Sequence, residues 1–324
     1  MPRKKTGFAF YMLLPSLIQI DKLHHFTGHT SAVFALERGQ FPNTVLSGGG
    51  DGVVAEWRLD EHAPAKGLAR VNGNIFSLLF LEDKKMLCAG DLNGVLHITD
   101  LVSKQELKQF TYVDGAVYCL QRFNANIIVA GCGNGNAQFI DIDTLTEVRS
   151  LEVSDKAIRS LLYIEASNEL LFACSDFNIY VYDATNFTLK HVLNGHDNSV
   201  FAIALNNNGT RLVSGSRDAG LRVWDVENGY KQLMVIPAHM YTINDIVFSP
   251  DGRLMATAGR DKHIKIWDAE NFNLLKVIDF EKFGGHINSV NKLFWSNWNN
   301  CLISCGDDRA VLVWDIKIQD KPSD

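Results

Sequence analysis

Hydrophobic and polar positions alternate in short runs along most of this chain. Stretches such as LRVWDV (221–226) and IKIWDA (264–269) carry the near-alternating pattern of a strand with one face buried. Turn clusters such as residues 206–209 and Ser249-Pro250-Asp251-Gly252 separate the runs. Their Asn, Asp, Pro and Gly suit the backbone angles of tight turns. No segment shows the 3.6-residue apolar period of an amphipathic helix. The pattern predicts an all-β protein built from many short strands.

The runs repeat. VVAEWR (53–58), LRVWD (221–225), IKIWD (264–268) and VLVWD (311–315) end alike, and LHITD (96–100), AQFID (137–141) and IYVYD (179–183) are weaker copies. At the tryptophan position stand Trp57, Thr99, Ile140, Tyr182, Trp224, Trp267 and Trp314, spaced 41 to 47 residues apart. Four short strands in each of seven such units is the arithmetic of a seven-bladed β-propeller.

In four units a histidine is followed by Ser or Thr at +18, Asp at +22 and Trp at +28. The sets are His29/Ser47/Asp51/Trp57, His196/Ser214/Asp218/Trp224, His239/Thr257/Asp261/Trp267 and His286/Ser304/Asp308/Trp314. With Gly-His at the start of three units and Trp-Asp at the end of three, the chain resembles the WD-repeat family over about residues 17–318. The resemblance implies a structural role for each set: Asp in the turn between the second and third strands, His in the loop before the first, and the four side chains joined by hydrogen bonds. Ser, His and Asp are also the parts of a hydrolase triad. Four copies, each with a tryptophan and none in a nucleophile elbow, favour the structural reading. The second, third and fourth units lack the set and are expected to form blades without this polar lock.

The last Trp-Asp belongs to a third strand, so the seventh unit lacks its fourth. The strand-like run LIQIDKLHHF (17–26) precedes the first Gly-His. In the family such a strand completes the last blade and closes the ring. Residues 1–16 are read as a flexible extension, 17–318 as the propeller and 319–324 as a tail. Met1–Lys5 is basic and an apolar run over 8–14 follows, yet no small-x-small cleavage site comes after it. A signal or anchor is therefore the lesser reading.

The resemblance also implies where partners bind: the top face, which carries the His loops and Asp turns. Its usual contacts lie at +3 and +5 after the histidine position and just before the turn Asp. The +5 residues are Phe34, Phe76, Tyr118, Arg159, Phe201, Asn244 and Asn291. Four aromatics among them exceed the 10% aromatic content of the chain. Before the turn Asp stand Arg217, Arg260 and Asp307, so an aromatic arc is expected beside a cluster formed by Arg159, Arg217 and Arg260. Two readings stand for the aromatics, a recognition surface or a plug packing the channel. For the arginines the bland reading is a solvated rim. The extra residues around FEKFG (280–284) are expected to project from the same face.

Composition adds little. The 324 residues are 46% hydrophobic and 21% charged, with a net charge of −6, which argues against general binding of nucleic acid or an anionic membrane. The six cysteines form no CxxC pair, and no metal-ligand spacing is present, so free buried thiols of a cytoplasmic protein are expected. The glycine-rich stretches at 48–52 and 131–135 complete no phosphate-binding motif. Together these features predict a non-catalytic scaffold or adaptor, without cofactor or metal, working as a monomeric propeller within a complex. It would bind a peptide or loop with an acidic group and an apolar anchor. An enzyme or small-molecule binder using the channel mouth is the alternative.

Overall fold

Each repeat folds into one sheet. The computed structural model describes residues 18–319 apart from Asp114. The expected extension over 1–16, and all of the expected tail except Gln319, lie outside the described residues. Twenty-eight strands make seven four-stranded antiparallel sheets, arranged as a seven-bladed propeller. In the first blade the strands are Val33–Arg38, Thr44–Gly49, Val53–Arg58 and Lys66–Arg70. The last blade contains Val290–Trp295, Leu302–Gly306 and Val311–Ile318, and Ile18–Phe26 completes it at the outer edge.

Burial follows position in the blade. The second strand of the first blade is buried at every residue, because blades pack on both of its faces. The outermost strand of the fifth blade, Lys231–Pro237, is exposed at every position but Ile236. Apolar cores lie between neighbouring blades. At the closure seam Phe26, Val33 and Trp57 meet Ile303, Val311 and Val313, and Phe26 stacks on Trp57 at 5.1 Å between ring centroids.

The turn between the second and third strands has one geometry seven times. The residue after the turn Asp or Asn is left-handed in every blade: Gly52, Gly94, Gly135, Phe177, Ala219, Lys262 and Arg309, with φ from 65° to 87°. In the first and third blades the next segment also passes close by. A Cβ on Gly52 would stand 2.3 Å from the Val71 carbonyl oxygen, and one on Gly135 1.8 Å from that of Ser154. Glycine is required there on both counts. The FEKFG insertion forms a single helical turn, Phe280–Phe283, capped by Asp279 and by left-handed Gly284. Lys22 of the closing strand donates to the Gly284 carbonyl at 2.8 Å.

Candidate functional site

The four His sets form closed hydrogen-bond chains. His29 Nδ1 lies 3.0 Å from Asp51 Oδ2 and its Nε2 2.8 Å from Ser47 Oγ, which accepts from the Trp57 indole at 2.7 Å. The same chain recurs at His196, His239 and His286, with imidazole–hydroxyl distances of 2.8, 2.8 and 2.9 Å. A carboxylate can only accept, so Nδ1 carries the proton and Nε2 accepts from the hydroxyl. Each Asp also accepts the backbone N–H of the residue after the histidine, namely Thr30, Asp197, Met240 or Ile287, at 2.8 to 3.1 Å. Burial would raise these carboxyls, but the imidazole and backbone donors outweigh it. They hold Asp218 and Asp261 down at about 2. Ser47, Ser214, Thr257 and Ser304 are fully buried, so no substrate reaches these hydroxyls. The geometry is that of a structural lock.

Two of the three blades expected to lack a lock carry substitutes. In the fourth blade Asp176 accepts from Ser154 Oγ and from Tyr180 Oη, both at 2.7 Å. In the second blade Asp91 accepts from the backbone of Asn93 and Val95, and His97 pairs with Glu106 at 2.6 Å. That network is incomplete: His97 Nε2 and Asp91 Oδ2 stand 3.5 Å apart, and neither has a hydrogen-bond partner. Ser154 and Asp176 occupy the His and Asp positions of the fourth blade, whereas Tyr180 and His97 each stand two residues before the Trp position, where a spacing rule anchored on His and Trp does not look.

A second sevenfold feature sets the channel. In each first strand the pairing register shifts by one residue at the +5 position: Phe34 falls between paired Val33 and Ala35, Arg159 between Ile158 and Ser160, Asn291 between Val290 and Lys292. Phe76, Tyr118, Phe201 and Asn244 are passed over in the same way. A bulge leaves its extra residue unpaired and re-aims the side chain. Beside every bulge the backbone N–H before the turn Asp donates to the +3 carbonyl, at 2.7 to 2.9 Å. The three top-face positions of each blade are thereby one rigid unit.

The re-aimed side chains meet around the mouth. Phe34 stacks on Phe76 with centroids 4.6 Å apart and planes at 10°, and Phe76 meets Tyr118 edge-on at 5.7 Å. The Arg159 guanidinium carbon lies 4.1 Å from the Tyr118 ring centre and 5.1 Å from that of Phe201, while its Nε donates to Ser175 Oγ at 2.8 Å. Asn244 donates to Ser289 Oγ and the Val290 carbonyl, and Asn291 to the Val33 carbonyl and Asp307. All seven +5 residues and Asp307 line one cavity of about 780 Å³. Arg217 and Arg260 do not line it. They stand exposed on the fifth and sixth blades, so the expected three-arginine cluster is divided. Its members hang from different positions, one on a bulge facing the channel and two on turns facing outward.

Below the mouth, Lys292 pairs with Asp245 at 2.9 Å, and Asp245 also accepts from the Leu293 backbone. Burial pushes Glu37, another cavity residue, up to about 7 from an ordinary 4.5. A carboxyl raised in the folded state contributes stability below its unfolded value, and that contribution is lost as pH rises through the folded one. Glu37→Gln is expected to melt with the wild type near about pH 4 and a few degrees above it at about pH 8. Parallel curves at both pH values would remove Glu37 as a titrating group. Burial likewise raises the thiols of Cys88, Cys119, Cys132 and Cys301 to about 12, so these cysteines hold no thiolate for chemistry.

Comparison with known proteins fits this architecture. The repeat described as "WD domain, G-beta repeat" matches residues 20–58, 187–225, 230–268 and 279–315, the four units with complete His sets. The chain is a WD-repeat propeller. It is 27% identical to human THO complex subunit 6 over 54% of this chain and 56% of that protein. It is 24% identical to the guanine nucleotide-binding protein subunit beta of Saccharomyces cerevisiae over 63% of this chain and 48% of that protein. The U3 small nucleolar RNA-associated protein 21 of the same yeast is 29% identical over 43% of this chain. The WD-repeat chain thus spans about half the length of the first two relatives. The expected cytoplasmic location is corrected by the last one, whose name ties it to a nucleolar RNA.

Proposed function

We propose that this propeller is a non-catalytic interaction scaffold that holds a peptide or loop of a partner protein at the mouth of its channel. The observation supporting this reading is the belt of bulge residues. Seven side chains that the sheet ladder leaves unpaired converge on one cavity. Five of them form a continuous aromatic–arginine arc. Half-buried aromatics with a fixed orientation supply contact area at small entropic cost, and clustered aromatics and arginine are the usual anchors of binding energy. Arg159 is held between two rings and spends only Nε on Ser175. Its terminal nitrogens suit a carboxylate, while Phe34 and Phe76 suit an apolar side chain. The propeller acts as one monomeric member of a larger complex.

A small-molecule site would draw on the inner tier, but Lys292 and Asp245 are already committed to each other and to the backbone. Affinity capture from the native cell, comparing the wild type with a Phe34→Ala/Tyr118→Ala/Phe201→Ala variant, tests the scaffold. The variant is expected to melt close to the wild type and to lose the retained partner. Retention of the same proteins by both would reject the belt as the contact.

A further inference from the structure

The most exposed large apolar side chain on the top face lies outside the belt. Met240 is 79% exposed, and its neighbour Tyr241 59%; Ile287, on the adjacent seventh blade, is 51% exposed. Met240 and Ile287 directly follow His239 and His286, and their backbone N–H groups are bound by Asp261 and Asp308 at 3.1 and 3.0 Å. The hydrogen-bond chains that stabilise these blades therefore also fix the loops presenting the two side chains. The equivalent positions of the first and fifth blades hold polar Thr30 and Asp197. Of the four blades with a complete His set, the sixth and seventh are the two that present an apolar side chain at this position.

The two loops adjoin. Asn244, three residues after Tyr241, donates to Ser289, two residues after Ile287. Exposed cations surround them. Arg260 donates its backbone N–H to Thr242, next to Tyr241, and Lys262 and Arg309 occupy the left-handed turn positions of the same two blades. The carboxylates of those turns face the histidines: Asp261 and Asp308 each pair with imidazole at 2.9 Å. Asp307, the other acid of the seventh-blade turn, is hydrogen-bonded to Asn291. Glu281, in the helical turn, is the acidic side chain of the neighbouring insertion. On a chain of net charge −6, this rim presents free cations around exposed apolar groups.

We propose that the rim of the sixth and seventh blades is a second docking surface, distinct from the belt, for an acidic peptide segment carrying apolar side chains. Apolar residues seat on Met240, Tyr241 and Ile287, and flanking carboxylates face Arg260, Lys262 and Arg309. Exposed apolar surface is an interface signal, and surrounding charge of one sign selects the partner's composition and accelerates encounter. The inference rests on the scaffold reading but uses none of the belt residues.

The test is selection from a random-peptide library on the full chain, followed by fluorescence anisotropy with the selected peptides. They are expected to be rich in Asp or Glu with interspersed apolar residues. Both Met240→Ser/Ile287→Ser and Arg260→Glu/Arg309→Glu are expected to bind them about tenfold more weakly, with melting curves unchanged. The belt variant is expected to bind them as the wild type does. Peptides lost only in the belt variant would overturn the rim and leave the scaffold standing. Peptides indifferent to all three variants would remove both sites. Basic or purely apolar peptides would overturn the acidic partner. Single-stranded RNA whose binding falls on charge reversal, with no selected peptide sensitive to Met240 and Ile287, would make the rim a phosphate-backbone surface instead.

Discussion

Deleting Ile18–Phe26 is expected to abolish the cooperative melting transition and to drive the chain into aggregates, although every His set stays intact. The strand pairs along the whole of Val311–Ile318, and it buries Ile18, Ile20 and Phe26 to 5, 8 and 2% exposure. Three such side chains stabilise by about 1.5–3 kcal/mol each, a sum comparable with the roughly 5–15 kcal/mol by which whole domains are stable. Phe26 also carries the contact with Trp57 of the first blade, so its loss loosens the seam between the ends of the ring. The bared edge of Val311–Ile318 then offers unpaired backbone to other chains. Circular dichroism melting with light scattering checks this. Because Ile18 lies opposite Ile318, relocating the strand behind residue 318 through a tight Asn-Gly turn should restore the transition. A truncated chain that melts as sharply as the full one, and elutes as the same species, would show that closure does not hold the ring.

Asp261→Ala is expected to lower unfolding free energy by about 3 kcal/mol at neutral pH, and Asp176→Ala by clearly less. Asp261 accepts from His239 at 2.9 Å and from the backbone of Met240 and His263, and removing it leaves a buried imidazole N–H and a backbone N–H without their acceptor. Asp176 loses two hydroxyl donors and one backbone contact, and hydroxyls can rotate to new partners. The pH dependence has a definite sign. A carboxyl held at about 2 in the fold stabilises above its unfolded value near 3.8, and that contribution disappears as pH falls from about 4 towards 2. The deficit of the Asp261 variant should therefore be full at neutral pH and shrink below about pH 4. Urea unfolding of both variants supplies the comparison, and equal losses would contradict the ranking.

The blades were legible because their determinants are local. Offsets of +18, +22 and +28 between His, Ser, Asp and Trp correspond to contacts made within one sheet, such as Trp57 to Ser47 and His29 to Asp51. A repeat exposes such contacts by recurring. The substitutes in the second and fourth blades were not legible, since His97 and Tyr180 both stand two residues before the Trp position, outside the His/Ser/Asp/Trp offsets, where the first and seventh blades hold Ala55 and Leu312. The sequence pattern also grouped Arg217 and Arg260 with Arg159, because it counts offsets but not directions. Exposed Met240 and Ile287 went unread for a related reason: an apolar residue beside a strand is ordinarily assigned to the core.

What the sequence by itself determined was the blade count, the strand order in each blade, the turn chemistry and the strand that closes the ring. These depend on short-range alternation and on side chains reaching one strand across. Tertiary structure decided the contacts within the belt, whose seven members the family resemblance had named. Phe34, Phe76, Tyr118, Arg159 and Phe201 lie about one repeat apart and touch only when seven bulges turn them into a common channel. A bulge shifts the ladder by one residue and leaves no mark in the hydrophobic pattern, since Val33 and Ala35 on either side of Phe34 are both buried. The contacts between blades exist only after the ring has closed, and closure is a property of the whole chain.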